Sequence, residues 1–180
     1  MAVNWTGEVL AQVQFYWEYS LWPRLEGLTD AEYHWLPAPG AWTVRQGADG
    51  RYQPDSAVPE PEPPPVTTIA WRLGHLVVDV LETRTNWHFG DRTYTRESVN
   101  WPGDAVEAKQ RLRHAYEVWS EHIQALDEDG LSAPVRGTEA PQWAGFPTVA
   151  LVLHVNREII HHGAEIALLR DLYRAEPGLD

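Results

Sequence analysis

Residues 147–173 read PTVALVLHVNREIIHHGAEIALLRDLY. Within them Leu151, Val155, Glu158, His162, Ile166, Leu169 and Tyr173 recur every three or four residues. That period predicts one face of a long α-helix. Pro147 suits a first helical position, and no further proline follows until Pro177. Most of the face is core-like, but Glu158 and His162 sit one turn apart in the middle of the apolar stripe, with His154 and His161 on either side. A carboxylate in such a stripe is costly unless it is paired, protonated or bound to a metal.

Working outward, three more segments carry helical spacing. The first runs from about Asn4 to Leu28 through Leu10, Val13, Trp17, Leu21 and Leu25, with Pro23 placed to kink or split it near its end. The second runs from Thr67 or Thr68, either of which can cap it, to Trp87, on a face of Ile69, Leu73, Leu76, Val77 and Val80. The third starts near Trp101–Pro102 and continues to Leu126 through Ala105, Ala108, Leu112, Ala115, Trp119 and Ile123. The stretch from Leu28 to Arg45 has a short helical start and is otherwise loop, pinned by Trp35 and Trp42. Gln46 to Pro65 is rich in glycine, acid and proline and reads as a surface connection of polyproline character inside one domain of residues 1–180. A second loop, Asp127 to Phe146, is marked by Gly130, Pro134, Gly137, Pro141 and Gly145. No strand and no internal repeat is expected. Four amphipathic helices predict an all-α four-helix bundle with long inter-helix loops, in a topology the pattern does not fix.

The formal charge of −12 argues against nucleic acid or an anionic membrane as partner. There is no cysteine, which excludes a disulfide framework, a cysteine metal site and a protein thiol nucleophile. The opening MAVNWTGEVLAQ has neither a basic nor an apolar leader pattern, and no run approaches a membrane span. A cytoplasmic protein is the expectation.

Glu158 and His162 can reach the same ion from one helix face. A third ligand has to come from elsewhere, and His75, in the middle of the second helix, is the preferred histidine. With it the set is two histidines and one carboxylate, which leaves positions open for water or substrate. His154 is the alternative, but three successive turns of a straight helix converge poorly on one ion. By position alone His75 falls with Thr68, Asp79 and Glu82 on a polar face, more in keeping with solvent than with a cleft. The competing reading of Glu158 and His162 is a helix-stabilising pair worth a few tenths of a kcal/mol. The pattern is not HExxH, and no phosphate-binding glycine fingerprint or nucleophile elbow is present.

Three stretches carry a family resemblance: LTDAEYHWLPAPGAWTVR at 28–45, IAWRLGHLVVDV at 69–80 and, above all, HVNREIIHHGAEIALLRDLY at 154–173. With them most of the chain resembles the DinB/YfiT-like superfamily of four-helix bundles that hold a divalent metal with a triad. The usual triad is one histidine of the second helix and an H-x-x-x-H pair of the last, which fall here on His75 and on positions 158 and 162. Position 158 is glutamate instead of histidine. That departure is similar to the mycothiol-dependent maleylpyruvate isomerase branch. The resemblance implies a divalent metal, zinc before nickel, iron or manganese, on His75, Glu158 and His162, and it brings His75 into a site. It also implies a metal-dependent thiol transferase or isomerase that uses a low-molecular-weight thiol of the mycothiol or bacillithiol type on a small electrophile. His154, Asp79 and His161 are then candidate supporting groups or general bases. The alternative is a non-catalytic, stress-related metal-binding bundle or a homodimerisation module, with Leu153 and Ile160 available for a dimer face. The blandest alternative is a metal-free bundle in which Glu158 and His162 pair.

Overall fold

Six helices and one two-stranded sheet are described by the computed structural model, which covers residues 3–95, 98–136, 143 and 145–178. Gly137 and Pro141, expected in a loop, lie outside the described residues. Helix α1 is continuous over Trp5–Tyr16, Trp17–Leu21 and Trp22–Leu25. Asn4 caps it by accepting from the Gly7 N–H at 3.1 Å. Its middle segment closes i→i+5 hydrogen bonds. That widened turn leads into Pro23, whose ring would press on the preceding turn of a regular α-helix. The short α2, Asp30–Tyr33, starts with a capping box made by Thr29 and Glu32.

An antiparallel hairpin follows, β1 (Val44–Gln46) on β2 (Tyr52–Pro54), with Arg45 opposite Gln53. It corrects the expectation of no strand and of a polyproline-like connection beginning at Gln46. Asp49-Gly50 supplies the turn, with Gly50 at φ 80, and Tyr52 ties the hairpin to the bundle. The Tyr52 N–H donates to Asn100 Oδ1 at 2.6 Å, and its carbonyl accepts from the Trp101 N–H at 3.0 Å. Beyond the hairpin, residues 56–62 of the proline-rich stretch are exposed, as expected.

Helix α3 is continuous over Ile69–Gly74, His75–Glu82 and Thr83–Phe89, and its middle segment is again i→i+5 bonded. Thr68 caps it, accepting from the Trp71 N–H at 3.2 Å. Helix α4 is Ala105–Gln124, capped by Asp104. Its start falls later than expected because Trp101 and Pro102 are spent in the core, Trp101 being 1% exposed. A one-turn α5 (Glu128–Ser132) precedes α6 (Thr148–Ala175).

Helices α1 and α3 each pack against both α4 and α6, so they stand at opposite corners of the bundle. The chain therefore passes from α1 to α3, and from α4 to α6, across a diagonal of the bundle. The buried side chains form one connected cluster. Inside it Arg170 of α6, 1% exposed, donates through Nε and Nη2 to the Glu32 carboxylate at 3.0 and 2.9 Å, and through Nη1 to the carbonyls of Arg24 and Glu26. One side chain thus fastens the end of α1 and all of α2 to α6. No helix among the described residues is long and apolar enough to cross a membrane.

Candidate metal centre

The buried side of α6 runs through Val152, Val155, Ile159, Gly163, Ile166 and Arg170. Glu158 therefore stands at the edge of the stripe, not in its middle, with 21% of its side chain exposed, while His162 is 9% exposed. The carboxylate escapes the full cost of burial by facing a cleft between α6 and α3. Helix α3 is buried at Leu73, Gly74, Leu76, Val77 and Val78, and Trp71, Arg72, His75 and Asp79 make its half-buried side. His75 looks into that cleft with 22% of its side chain exposed. This corrects the solvated position that spacing alone suggests: the polar side of α3 that carries His75 and Asp79 faces α6 across the cleft.

Two glycines bring the ligand-bearing turns close to their neighbours. A Cβ on Gly74, next to His75, would lie 2.2 Å from Trp101 Cε3, and one on Gly163, next to His162, 2.6 Å from the Tyr16 hydroxyl. His75, Glu158 and His162 then offer one ligand atom each, all within 4.8 Å of one another. Glu158 Oε2 is 3.2 Å from His162 Nε2 and 3.7 Å from His75 Nε2. Donors about 2.1 Å from one ion and about 90–109° apart are about 3.0–3.4 Å from each other. The imidazoles are nearly perpendicular, at 89°, with centroids 4.9 Å apart. The Glu158–His162 spacing lies in that donor–donor range and the Glu158–His75 spacing just above it, so the donor set takes a divalent ion with a small closing movement of the His75 ring.

Both rings are held from behind. His75 Nδ1–H donates to Asp79 Oδ2 at 3.0 Å, and His162 Nδ1–H donates to Glu165 Oε2 at 2.6 Å. An ionised carboxylate only accepts, so Asp79 and Glu165 can take the Nδ1 protons whenever the Nε2 lone pairs are given to an ion in the cleft. Trp71 stacks on the His75 ring at 5.4 Å and 18°, and its Nε1–H donates to the Asp55 carbonyl at 3.0 Å.

The electrostatics follow from these neighbours. The His75 ring beside it is the main cause that holds the Glu158 carboxyl down to about 2, with His154 and His162 adding to it against burial. Burial pulls the His75 pKa down, but the hydrogen bonds to Asp79 and Glu158 outweigh it and the net direction is up. Burial lowers that of His162, with Glu165 opposing.

The three remaining candidates separate. Asp79 orients His75. His154 stands at the rim, its Nδ1 3.6 Å from Glu158 Oε1 and 2.7 Å from Arg157 Nη2. His161, 64% exposed, lies 3.4 Å from Glu165 Oε1. His161, His162 and Glu165 also form a second group of ligand atoms within reach of one another. Sequence reasoning passed over Glu165, Arg72 and Trp71. Glu165 carried a signal, standing three residues after His162 and four after His161 on one helix.

The sequence pattern of the DinB superfamily matches residues 51–166, more than half of the chain and a span that includes all three ligand positions. No curated protein matches. Among solved structures, a conserved protein from Enterococcus faecalis is similar, with a TM-score of 0.62 at 12% identity over 97% of this chain and 100% of that one. At that identity the likeness speaks of the fold.

Proposed function

The chain belongs to the DinB superfamily, and from that premise we propose that it is a metal-dependent enzyme acting through a low-molecular-weight thiol. His75, Glu158 and His162 hold one divalent ion, zinc first among the candidates, and the reaction is S-transfer to, or isomerisation of, a small electrophile. The observation that carries the reading is the convergence of two Nε2 atoms and one carboxylate oxygen, each ring backed by its own carboxylate. When bound, the ion supplies Lewis acidity that makes a thiol ionise near neutral pH. The absence of cysteine agrees with a nucleophile brought in from solution.

The chain's own residues do the rest. Asp79 and Glu165 accept from the Nδ1 atoms and hold each ring with its Nε2 toward the ion. Trp71 shields the His75 side from water. His154, partly exposed beside Glu158 Oε1, is placed to accept a proton at the rim. The test is a screen of mycothiol-type and bacillithiol-type thiols against small electrophiles, run on wild type and His162→Ala. Thiol-dependent turnover in the wild type that is lost in a folded His162→Ala supports the proposal. Metal binding without turnover for any thiol favours the second reading, a non-catalytic metal-binding or dimerising bundle. The 45% exposed Leu153 on α6 is the observation in favour of that reading.

A further inference from the structure

Two sets of ligand atoms share the His162 ring and use opposite nitrogens of it. The inner set, His75, Glu158 and His162, faces Nε2; the outer set, His161, His162 and Glu165, lies on the Nδ1 side. Donor chemistry does not choose between them, since each is two imidazoles and a carboxylate. Arg72 does. It lies one turn before His75 on α3 and reaches across to α6, where its Nε donates to Glu165 Oε2 at 3.0 Å and its Nη1 lies 3.4 Å from His162 Nδ1. Its guanidinium also lies 5.3 Å from the Trp71 ring centroid, and Trp71 is itself anchored to Asp55, so the cation is held in place.

An ion in the outer set would sit about 2.1 Å from His162 Nδ1 and a Glu165 oxygen. That position is against the guanidinium, in a region where only 21% of the Arg72 side chain is exposed and water screens poorly. The inner set feels that charge less: Arg72 acts on Glu158 more weakly than on Glu165, with which it pairs directly, and Arg157 is engaged with His154 at 2.7 Å. Resting on the metal-centre reading above, we infer that Arg72 determines which set takes the ion. By pairing with Glu165 it keeps that carboxylate as the acceptor for His162 Nδ1–H, directs the Nε2 lone pair inward, and denies a cation the His161–His162–Glu165 set.

The test uses zinc ions alone on the full chain. Protein saturated with zinc is desalted, its retained metal is counted by elemental mass spectrometry, and the histidine nitrogens are read by long-range 1H–15N NMR. The wild type is expected to keep one ion, with His162 protonated at Nδ1 and coordinated through Nε2. Arg72→Gln is expected to keep a second ion, which the added substitution His161→Ala removes. Two ions in the wild type, or coordination of His162 through Nδ1, overturn the inference without any variant. So does a folded Arg72→Gln that keeps one ion through an unchanged His162 Nε2. If Arg72→Gln does not fold, Glu165→Ala replaces it: a mixture of His162 tautomers in the metal-free protein is expected, and an unchanged single tautomer overturns the inference. A wild type that keeps no zinc overturns the metal-centre reading instead, so the two failures are distinguishable.

Discussion

Each imidazole of the site has one nitrogen committed to a carboxylate and one left for a ligand, and the carboxylate between them is kept ionised by its neighbours. That last property has a sign. The Glu158 pKa falls from about 4.5 in the unfolded chain to about 2 in the folded one. Its contribution to stability is therefore complete above about pH 4.5 and is lost as the pH falls toward about 2. In metal-free protein, the urea midpoint of the wild type should drop more steeply below pH 4.5 than that of Glu158→Gln. Parallel curves from pH 6 to 3 would contradict the assignment. At Gly74 the missing Cβ makes room for the Trp101 ring. Gly74→Ala should lower stability by about 1–3 kcal/mol through overpacking, measured by chemical denaturation. An unchanged or raised stability would show that Trp101 can give way.

Helix α3 supplies the His75 side of the site. Thr68 caps it and also donates to Thr43 Oγ1 at 3.0 Å in a fully buried setting. Thr68→Ala should cost about 1–2 kcal/mol in urea denaturation; a loss within error would mean that the cap is dispensable. The four long helices were legible in the sequence because their apolar faces repeat every three or four residues. Two features of α3 and α6 were not. The side of α3 that carries Trp71, Arg72, His75 and Asp79 reads as solvated because spacing within one helix does not reveal that α6 packs across from it. On α6, counting Leu151, Val155, Glu158 and His162 as one stripe put the carboxylate in the core. The true centre passes through Val152, Ile159 and Gly163 and leaves Glu158 at the cleft. The hairpin was legible in principle from Asp49-Gly50 between short extended runs. The proline-rich sequence that follows it masked the signal.

At the scale of the molecule, the diagonal crossings put α3 beside α6, and only that adjacency makes His75 a neighbour of Glu158. The ligand pair on α6 is local in sequence and so could be read from spacing, whereas its partner depends on a connection whose path no periodicity encodes. The same long-range order relies on Arg170, which fastens α1 and α2 to α6 through the buried Glu32. Arg170→Met leaves that carboxylate with the Thr29 N–H of its capping box and the half-exposed Arg174, and should destabilise the fold by about 3–5 kcal/mol in urea titration. A loss below about 1 kcal/mol would show the pair to be peripheral. Metal removal belongs to this scale too: an ion that binds only the folded chain stabilises it by mass action, so chelation should lower the melting temperature of the wild type and leave that of His162→Ala unmoved. Equal shifts in both proteins would place the ion elsewhere. The most direct measurement is the metal content of chelator-free, tag-free protein by elemental mass spectrometry, beside that of His75→Ala. One ion per chain in the wild type and none in the variant is the predicted result. A wild type without metal after incubation with zinc, nickel and manganese, or an unchanged content in His75→Ala, would contradict the account.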